Sequence, residues 1–390
     1  MDRITGYNFG EGRYGIRNLI AIIPTCLCAN DSAKKIKDFF EENERVVLVS
    51  HNQGCGQMGE NRKQTVRVIL GLASNPNVSG VLFIGLGCEN IQAKELMDEM
   101  PSNNKIIHSI VAIEEGGASK TYLKGIKLVK KMLEKTEKIN KSSFEISKIL
   151  IGLKCGFSDS TSGIASNPIV GMVSDMIINQ GGTVIMAETP EAIGAEHILA
   201  KRAKNNSVAN QLNKTILKFE KNAKETGVDV RGANPSPGNI KGGLTTLEEK
   251  SLGAIKKGGD SIIEGVLSYG ETPKGNGLYF MNSPGRCPEV LTSLSAAGCH
   301  LILFTTGGGA LGSSLISPVI KVSANPNTIK LVGKEHVDVD VSGVIDGKEQ
   351  LSINKDKVYK EFLAVCSGKK TKGEKVKYGY TSIWSIGPHM

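Results

Sequence analysis

The sequence predicts an α/β fold with two βα-type domains, mainly parallel sheets and an active site at the carboxyl ends of the strands. Short apolar runs alternate with segments whose apolar residues recur every three or four positions, as strands alternate with amphipathic helices. Several of the apolar runs stop in a glycine-rich turn that carries a cysteine or an ionisable residue. Because ligands bind beyond the carboxyl ends of the strands in open α/β sheets, we expect the chemistry at these turns.

The first half of the chain contains four predicted strands, at residues 19–23, 46–49, 81–84 and 105–113. Four amphipathic helices are predicted at residues 32–43, 65–73 and 91–100 and around residues 122–133. Asn30 or Asp31 can cap the first helix. Residues 135–147 lose the apolar periodicity and gain charge and serine, which predicts an exposed linker. The predicted domains are therefore residues 1–140 and 148–390.

The second half resumes the same alternation. A strand begins at residue 148, and a helix at residues 169–179 is closed by Gly181 and Gly182, since glycine favours the left-handed end of a helix. Residues 183–187 form a strand that ends in Glu188, and helices follow at residues 191–204 and 208–225. The glycine-proline tract at 232–243 is expected to be irregular and to lead into a helix capped by Thr246 and Glu249. The last predicted elements are strands at 278–281 and 301–305, an edge strand at 338–344 and a helix at 355–366.

Composition excludes several classes of protein. No uncharged apolar run reaches the roughly 18 residues that span a bilayer, and the N-terminus lacks the apolar core of a signal peptide, so we expect a cytoplasmic protein. Five lysines and one glutamate between Gly368 and Gly379 contribute +4 of the net charge of +9. This segment has no interleaved aromatic residues, so we expect a solvated, mobile loop and no nucleic-acid binding.

The eight cysteines are expected to be reduced, which favours metal binding or catalysis. Thiolate and imidazole are ligands for zinc and iron, and ligands from separate strand ends suit a catalytic metal site better than a zinc finger. The candidates after strands are Cys28, His51, Cys55, Cys88 and Cys155. A buried cysteine is more often a small hydrophobic residue, and we assign that role to Cys26, Cys287, Cys299 and Cys366.

Several charged residues also follow strands. Lys154, Asp159, Glu188 and Glu196 could act as acids, bases or carboxylate anchors, although helix capping and surface solvation explain carboxylates equally well. Residues 307–309 are three glycines that could hold an anion or form a tight turn. They lack the strand, GxGxxG and helix order of a dinucleotide site, so no such cofactor is predicted.

Eight ordered motifs together resemble one enzyme family. They are GYNFGEGRYGIRN, PTCLCAN, HNQGCGQ, GLGCEN, LKCGFSDSTSGIASNP, ETPEAIGAE, GGLTTLEEKSLGAI and SPVIKVSANPNT, spread over residues 6–327. This set is similar to the large domain of the altronate and galactarate dehydratases, including the beta-subunit branch of sulfolactate sulfo-lyase. The resemblance implies an iron-dependent lyase that removes water from a sugar acid, or sulfite from sulfolactate.

The resemblance also implies roles for individual residues. A Lewis-acid metal would stabilise the dianionic enediolate and polarise the departing oxygen. The metal is expected to be Fe²⁺, or alternatively an iron–sulfur cluster on Cys28, Cys55 and Cys88. His51 is a candidate base by residue type, and Lys154 could hold the far carboxylate or sulfonate. Substrate contacts are expected from Asn52, Glu89, Asn90, Ser158, Asn167, Arg286 and Gly308.

Some expectations concern partners and alternatives. Single-chain members carry a small SAF-type domain before the region that begins here at Gly6, so we expect the large subunit of a split, oligomeric enzyme with a separate small SAF-type subunit. Arg286 stands near the place where the sugar-acid enzymes tend to have an acidic residue, and Gly308 stands where they often have arginine. These departures leave the acid open, and sulfolactate remains an alternative substrate. A noncatalytic iron-binding protein, or a noncatalytic partner of a lyase, is the alternative outside the enzymes.

Overall fold

The computed structural model describes residues 2–101 and 105–389 and contains three sheets. An antiparallel sheet has the order β2-β1-β7, a parallel sheet has the order β4-β3-β5-β6, and a second parallel sheet has the order β10-β11-β9-β8-β12-β13-β14. The predicted α/β class with mainly parallel sheets is confirmed. The strands are β1 (Arg3–Asn8), β2 (Tyr14–Gly15), β3 (Leu19–Pro24), β4 (Val46–Leu48), β5 (Val78–Gly85), β6 (Ile106–Val111), β7 (Lys141–Glu145), β8 (Leu150–Cys155), β9 (Thr183–Met186), β10 (Ile263–Leu267), β11 (Gly277–Met281), β12 (Leu301–Thr305), β13 (Val319–Ser323) and β14 (Val339–Asp340).

Helices cover the faces of both parallel sheets. They are α1 (Asn30–Phe39), α2 (Gly59–Ser74), α3 (Ala93–Glu99), α4 (Ala118–Glu137), α5 (Asn167–Asn179), α6 (Glu196–Lys201), α7 (Asn206–Glu225), α8 (Val230–Ala233), α9 (Pro237–Lys241), α10 (Leu247–Ala254), α11 (Cys287–Ala296), α12 (Pro326–Thr328), α13 (Lys334–His336), α14 (Leu351–Cys366) and α15 (Lys372–Lys375). Within the described part of the chain, no helix is both long and apolar enough to span a bilayer.

The four-stranded sheet is buried on both sides. Ile20 and Ile22 of β3 face α1 and α4, where they pack with Ile36 and Met132. Ala21 and Ile23 of the same strand face α2 and α3, and Phe83 of β5 joins that second cluster. Strands covered on both faces are apolar throughout, and for this reason β3 and β5 appear in the sequence as continuous apolar runs.

The seven-stranded sheet also has two covered faces. Ile151 and Leu153 of β8 pack with residues of α5 and α14 on one face. The intervening Gly152 faces α11, because a Cβ at this position would lie 2.8 Å from the Leu294 side chain. Side chains therefore alternate along β8, so Lys154 points to the α11 face and Cys155 to the α5 face.

The two parallel sheets are joined through α2 and α11. Gly71 of α2 allows close approach, because a Cβ there would lie 2.3 Å from the carbonyl oxygen of Ala296. The buried side chain of Asn75 donates to the carbonyl oxygens of Ser295 and Cys299 at 2.8 and 3.1 Å. These contacts hold the two sheets in a defined relation.

Two segments that we expected to be irregular are ordered. Residues 141–145 are not an exposed linker but β7, which pairs antiparallel with β1 from Arg3 to Tyr7. The glycine-proline tract contains α8 and α9, because Ser236 caps α9 and Pro237 occupies its first position, where no N–H is needed.

Two other elements are shorter than predicted. The helix expected at 191–204 is limited to α6, and the residues before it form a 3₁₀ turn from Thr189 to Ala192. The edge strand expected at 338–344 contains only β14, at one edge of the larger sheet, because the chain turns into a 3₁₀ helix at Ser342–Val344.

The basic segment near the C-terminus is also anchored, so the prediction of a mobile loop is wrong. Thr371 is buried and caps α15 through the backbone N–H of Glu374. The carboxylate of Glu374 accepts two hydrogen bonds from the guanidinium of Arg17, at 2.7 and 2.8 Å. Lys370 pairs with Glu44 in the first half of the chain. The composition of the segment could not predict these contacts, because Arg17 and Glu44 are distant from it in sequence.

Candidate active site

Three loops after adjacent strands of the smaller sheet contact one another. Thr25, after β3, donates its hydroxyl to the Glu89 carboxylate after β5, at 2.7 Å. Asn30, also after β3, donates to the carbonyl oxygen of His51 after β4, at 2.9 Å. Asn90, after β5, donates to the carbonyl oxygen of Gln57, after β4, so each of the three loops contacts the other two. The loops predicted to carry chemistry therefore meet at one edge of the sheet.

Three free cysteines lie on these loops. Cys28, Cys55 and Cys88 are all exposed, whereas Cys26 is buried and burial raises the pKa of its thiol to about 11. In residues 2–101 and 105–389, no three His, Cys, Asp or Glu side chains are close enough together to hold a metal ion. The metal set of Cys28, His51, Cys55, Cys88 and Cys155 thus remains a prediction.

His51 is buried and uses both ring nitrogens within the protein. Its Nδ1 accepts from the backbone N–H of Gln53 at 3.3 Å, so its Nε2 carries the proton and donates to the carbonyl oxygen of Pro24 at 2.7 Å. Burial lowers the pKa of His51 to about 4. In this arrangement the imidazole is neutral and shapes the loop, with neither nitrogen directed to a ligand.

The predicted substrate-binding residues on these loops differ in accessibility. The Glu89 carboxylate accepts from the backbone N–H groups of Leu86 and Gly87, at 3.1 and 2.7 Å, and is buried. It therefore forms the turn after β5. Asn52 and Asn90 are exposed, and the side-chain N–H of Asn90 donates to the carbonyl oxygen of Gln57.

Because two histidines are buried, we expect the folded protein to lose stability in acid. His300 resembles His51 in donating from Nε2 to a backbone carbonyl oxygen, that of Tyr14, and burial lowers its pKa to about 4. Both histidine pKa values are lowered on folding, so the folded protein favours the neutral imidazole. The resulting contribution to the free energy of unfolding is complete above pH 6.5 and is lost as the pH falls through 4. Each histidine should contribute about 3 kcal/mol over that range.

Urea unfolding of His300→Gln between pH 7 and pH 4 measures this contribution. The variant should lose less stability over the range than the parent, whereas His197→Gln, which alters an exposed histidine, should show the parental dependence. Equal slopes for all three proteins would contradict the assignment.

A second group of predicted site residues forms a buried charge cluster in the larger sheet. Lys154 at the end of β8 pairs with Glu188, which follows the adjacent strand β9. Lys257 pairs with Glu191 at 2.8 Å and lies 3.6 Å from the Glu188 carboxylate. All four side chains are at least nine-tenths buried, so two cations and two anions neutralise one another inside the protein.

The backbone around Glu188 is held in an unusual conformation. Its φ of 78° lies in the left-handed region, which non-glycine residues rarely adopt. The hydroxyl of Ser283, after β11, accepts from the N–H of Glu188 at 2.8 Å, and the Glu188 carboxylate accepts from the N–H of Cys155 at 2.8 Å. Neighbouring strand ends thus fix this carboxylate, and backbone strain of this kind is concentrated at functional sites.

The cluster shifts the pKa values of its members. Burial and the neighbouring Glu191 raise the pKa of Glu188 to about 7, against the opposing effect of the two lysines. Burial acts to lower the pKa of Lys154, but the attraction of Glu188 outweighs it and the net shift is upward. Lys154 therefore stays charged, while Glu188 can change protonation state near neutral pH.

A cavity of about 180 Å³ lies on the α5 face, and Cys155, whose N–H binds Glu188, connects it to the cluster. Cys155, Ser158 and Asn167 line it, and the Cys155 thiol lies 2.9 Å from the Ser158 hydroxyl. Asn167 is oriented by Thr305, which donates to its side-chain oxygen at 2.6 Å. A single turn of π-helix at Ser162–Ser166 borders this cavity before α5 begins, a feature common at functional sites.

Asp159 also lines the cavity, but its carboxylate is fully engaged. One oxygen accepts from the N–H and hydroxyl of Ser162, at 2.9 and 3.0 Å, and the other accepts from Asn325 at 2.7 Å. Gly307 packs against it, because a Cβ there would lie 2.1 Å from the carboxyl carbon. Asp159 acts in this arrangement as a helix cap that also ties the loop after β12 to the site.

The remaining predicted residues lie at the margins of this cluster. Glu196 accepts from the N–H of Gly194 at 2.6 Å in the first turn of α6. Arg286 is largely exposed and pairs with Glu289 at 2.8 Å. Gly308 donates its N–H to the carbonyl oxygen of Phe157 at 2.9 Å and leaves room for the Phe157 ring.

Sequence patterns missed two members of the cluster, Lys257 and Glu191. Lys257 follows α10 on the side that buries Leu247, Ser251 and Ala254. A lysine on the buried face of a helix could therefore have been recognised in the sequence as a candidate buried charge. The sequence placed Glu191 at the start of a predicted helix, where a carboxylate commonly caps the helix. Only its contact with Lys257 shows that it belongs to the buried cluster.

The C-terminal segment connects the two groups of strand-end loops. Ser382 donates its N–H to Thr292 of α11, and the carbonyl oxygen of Trp384 accepts from Gln64 of α2, at 2.7 Å. Further on, His389 lies 2.9 Å from the side-chain oxygen of Gln53 in the His51 loop. The loop before α2 and the loop before α11 therefore lie on the same side of the molecule.

Comparison with known proteins agrees with this architecture. A family model described as D-galactarate dehydratase/altronate hydrolase, second domain, matches residues 6–137. Another, described as D-galactarate/altronate dehydratase, C-terminal, matches residues 146–389. The chain belongs to the D-galactarate/altronate dehydratase family. The resemblance inferred from the eight motifs is thereby confirmed, and the chain is a lyase of this type.

Relatives within the family match from about four-fifths to nearly all of the chain. It is 33% identical to altronate dehydratase of Bacillus subtilis over 98% of its own length and 77% of the relative's. It is 32% identical to the (2R)-sulfolactate sulfo-lyase subunit beta of Chromohalobacter salexigens over 95% of its own length and 94% of the relative's. Galactarate dehydratase of Escherichia coli is 33% identical over 78% of the chain and 59% of the relative. The relatives of this chain thus include dehydratases and a sulfo-lyase subunit.

Proposed function

We propose that this member of the galactarate/altronate dehydratase family removes water from a sugar acid, with Glu188 as the base and Lys154 as a fixed cation. The observation that carries the proposal is the buried cluster in which Glu188 lies between Lys154 and Lys257 and accepts from the N–H of Cys155, a residue that lines the cavity. Among the five residues predicted to be catalytic, Glu188 has a pKa raised to about 7. A base is most effective when its pKa lies near the working pH.

The chemistry suits this arrangement. Glu188 would take the proton from the carbon next to the substrate carboxylate, and the electron pair left on that carbon would form an enediolate. The neighbouring carbon then loses its hydroxyl group as water when the protonated Glu188 returns its proton to the departing oxygen. Lys154 and Lys257 would stabilise the added negative charge, because fixed cations in a buried site act without reorganisation.

Iron is proposed at the exposed thiols of the smaller sheet. Cys28, Cys55 and Cys88 are free and lie on three loops that contact one another, so their chemistry and placement suit a soft metal or an iron–sulfur cluster. Bound iron would supply Lewis acidity for the departing oxygen. His51 does not fit as a ligand in this arrangement, since both ring nitrogens bind backbone groups.

Sulfolactate is the second candidate substrate. The observation that favours it is the share of each relative's length that the chain matches. This share is 94% for the sulfo-lyase subunit beta and 77% for the altronate dehydratase. Elimination of sulfite needs the same proton abstraction next to a carboxylate, so the cluster around Glu188 would serve either reaction. The leaving group is what differs.

A substrate panel tests the proposed function. The purified protein would be incubated anaerobically with Fe²⁺ and with altronate, galactarate or sulfolactate, and the 2-oxo acid product or free sulfite would be measured. A 2-oxo acid from either sugar acid supports the dehydratase, whereas sulfite release supports the alternative. Binding of iron without turnover of any acid would favour a noncatalytic iron-binding protein.

We also propose that the chain acts together with a separate small SAF-type subunit. The support is that one relative matched over nearly its full length is itself named a subunit. Turnover in the same panel should rise at least tenfold when the small subunit is added in equimolar amount. Equal turnover with and without the second polypeptide would contradict this proposal and leave the dehydratase assignment unaffected.

A further inference from the structure

Two of the eight sequence motifs meet at the cavity on the α5 face. The motif LKCGFSDSTSGIASNP supplies Cys155 and the π-helical turn, and the motif GGLTTLEEKSLGAI supplies α10 and the residues before it. The two motifs pack glycine against glycine, because a Cβ on Gly253 of α10 would lie 2.9 Å from the Cα of Gly163 in the π-helical turn. Glycine at both positions lets these elements approach closely at the cavity wall. The second motif contributes no residue to the buried charge cluster.

Lys250 of α10 is the one lysine or arginine among the residues that line this cavity. Its half-buried side chain donates to the side-chain oxygens of Asn234 and Asn239, at 3.0 and 3.3 Å. In the part of the chain that the structure describes, no carboxylate oxygen lies within 4 Å of its ammonium group. The neighbouring Glu249 carboxylate accepts from the backbone N–H of Thr245 at 2.8 Å instead. Because an ammonium group has three N–H donors, one donor of Lys250 remains for a ligand.

The two asparagines fix the position of the ammonium group. Asn239 of α9 is buried, and its side-chain N–H donates to the carbonyl oxygen of Ser158 at 2.8 Å. The side-chain oxygen of Asn239 also accepts from the backbone N–H of Ser236 at 3.1 Å, at the start of α9. Amide oxygens orient the ammonium group of Lys250 and leave its charge uncompensated. A cation fixed in this way needs no reorganisation when an anion binds.

The charge of Lys250 also acts on the buried cluster. Burial acts to raise the pKa of Glu191, but the attraction of the nearby lysines outweighs it and lowers that pKa to about 2, and Lys250 is one of these lysines. Glu188 accepts from the N–H of Cys155 at 2.8 Å, and Asn239 binds a carbonyl oxygen in the same loop after β8. An anion held by Lys250 in the cavity therefore lies next to the segment that positions the proposed base.

The cavity suits a small acid that carries hydroxyl groups. Its volume of about 180 Å³ accommodates several water molecules or one small organic molecule. Ser158 and Ser160 line it and offer hydroxyl groups, which can donate to or accept from the hydroxyl groups of a sugar. One ammonium group among neutral donors suits a singly charged group such as a carboxylate better than a phosphate, which carries nearly two charges.

We propose that Lys250 binds a carboxylate of the sugar acid within this cavity. This inference rests on the proposed function, which supplies the nature of the ligand. The ion pair with the substrate is partly shielded from water, where a charge-assisted hydrogen bond is stronger than at an exposed site. Lys250 is thus a substrate-binding residue, and its loss should weaken binding more than it slows the chemical step.

Lys250→Met tests the proposal by direct binding and by turnover. Calorimetric titration of the whole protein with galactarate, altronate and sulfolactate gives the affinity for each acid. For the acid that the parent binds most tightly, Lys250→Met should bind at least tenfold more weakly, and KM should rise at least tenfold while kcat changes less than threefold. Lys250→Arg, which keeps the charge, should lie closer to the parent than to Lys250→Met. The matched control is Lys256→Met, which removes an exposed lysine and should bind like the parent.

Thermal unfolding separates this role from a structural one. Lys250→Met should unfold within about 2 °C of the parent, because the partners of Lys250 are neutral and no buried carboxylate loses its counter-ion. Equal affinities of Lys250→Met and Lys256→Met for every acid would overturn the proposal, and continued turnover would leave the dehydratase function intact. If an acid binds but none is turned over, the proposed function fails and the titration still decides the role of Lys250. The proposal also fails if the parent binds none of the three acids.

Discussion

Glu188→Gln is expected to lower kcat by about 10²- to 10⁴-fold, the usual effect of removing a general base. The amide cannot accept a proton from the carbon next to the substrate carboxylate, but it is nearly the same size as the carboxylate. Its oxygen can still accept from the N–H of Cys155, which the Glu188 carboxylate now binds at 2.8 Å. We therefore expect a folded protein that binds substrate and turns it over slowly.

Steady-state kinetics and thermal unfolding of two matched variants test this role. Glu191→Gln removes the other carboxylate of the same cluster, which pairs with Lys257. Both variants should lose stability, because each leaves a buried lysine under-compensated. Only Glu188→Gln should lose most of kcat. Equal losses of kcat in the two variants would show that Glu188 contributes to structure alone.

Since burial and Glu191 raise the pKa of Glu188 to about 7, kcat/KM of the parent should rise with pH up to about that value. Below it the protonated carboxyl group cannot act as a base. If kcat/KM of Glu188→Gln rose with pH in the same way, the titrating group would have to be another residue.

Cys55→Ala and Cys88→Ala are each expected to remove iron and activity together while the fold remains intact. Both thiols are exposed on loops that contact each other, so their removal leaves no cavity in the core. Iron analysis, sulfide analysis and the visible spectrum of the anaerobically purified protein give the readout. A brown protein with about four irons and acid-labile sulfide indicates a cluster, and a nearly colourless protein with about one iron indicates a mononuclear site.

Cys366→Ala provides the matched control for these two variants. Cys366 is buried at the end of α14, away from the strand-end loops, and burial raises the pKa of its thiol above the usual range. This variant should keep its iron and its turnover. If Cys55→Ala and Cys88→Ala did the same, the proposal that these loops hold the metal would have to be abandoned.

Local patterns in the sequence were sufficient for the fold class and for the strand-end loops that meet at one edge of the smaller sheet. The apolar runs of β3, β5 and β8 and the helical spacing of α1 and α4 are properties of neighbouring residues, so they can be recognised without knowledge of contacts. Parallel strands place all their carboxyl ends at one edge, and thus Lys154 and Glu188 could be expected near each other. The eight motifs identified the family on the same local basis.

Only the tertiary structure decided what each of these side chains does. Lys257 and Glu191 are 66 residues apart and meet beside Glu188. His51 changed from a candidate base to a neutral histidine because Pro24 and the N–H of Gln53 occupy its ring nitrogens. Burial and ion pairing depend on contacts between distant parts of the chain, whereas hydrophobic periodicity does not. For that reason the sequence determined the α/β architecture and the family, and the folded chain determined which carboxylates and lysines are buried in pairs and which thiols are exposed.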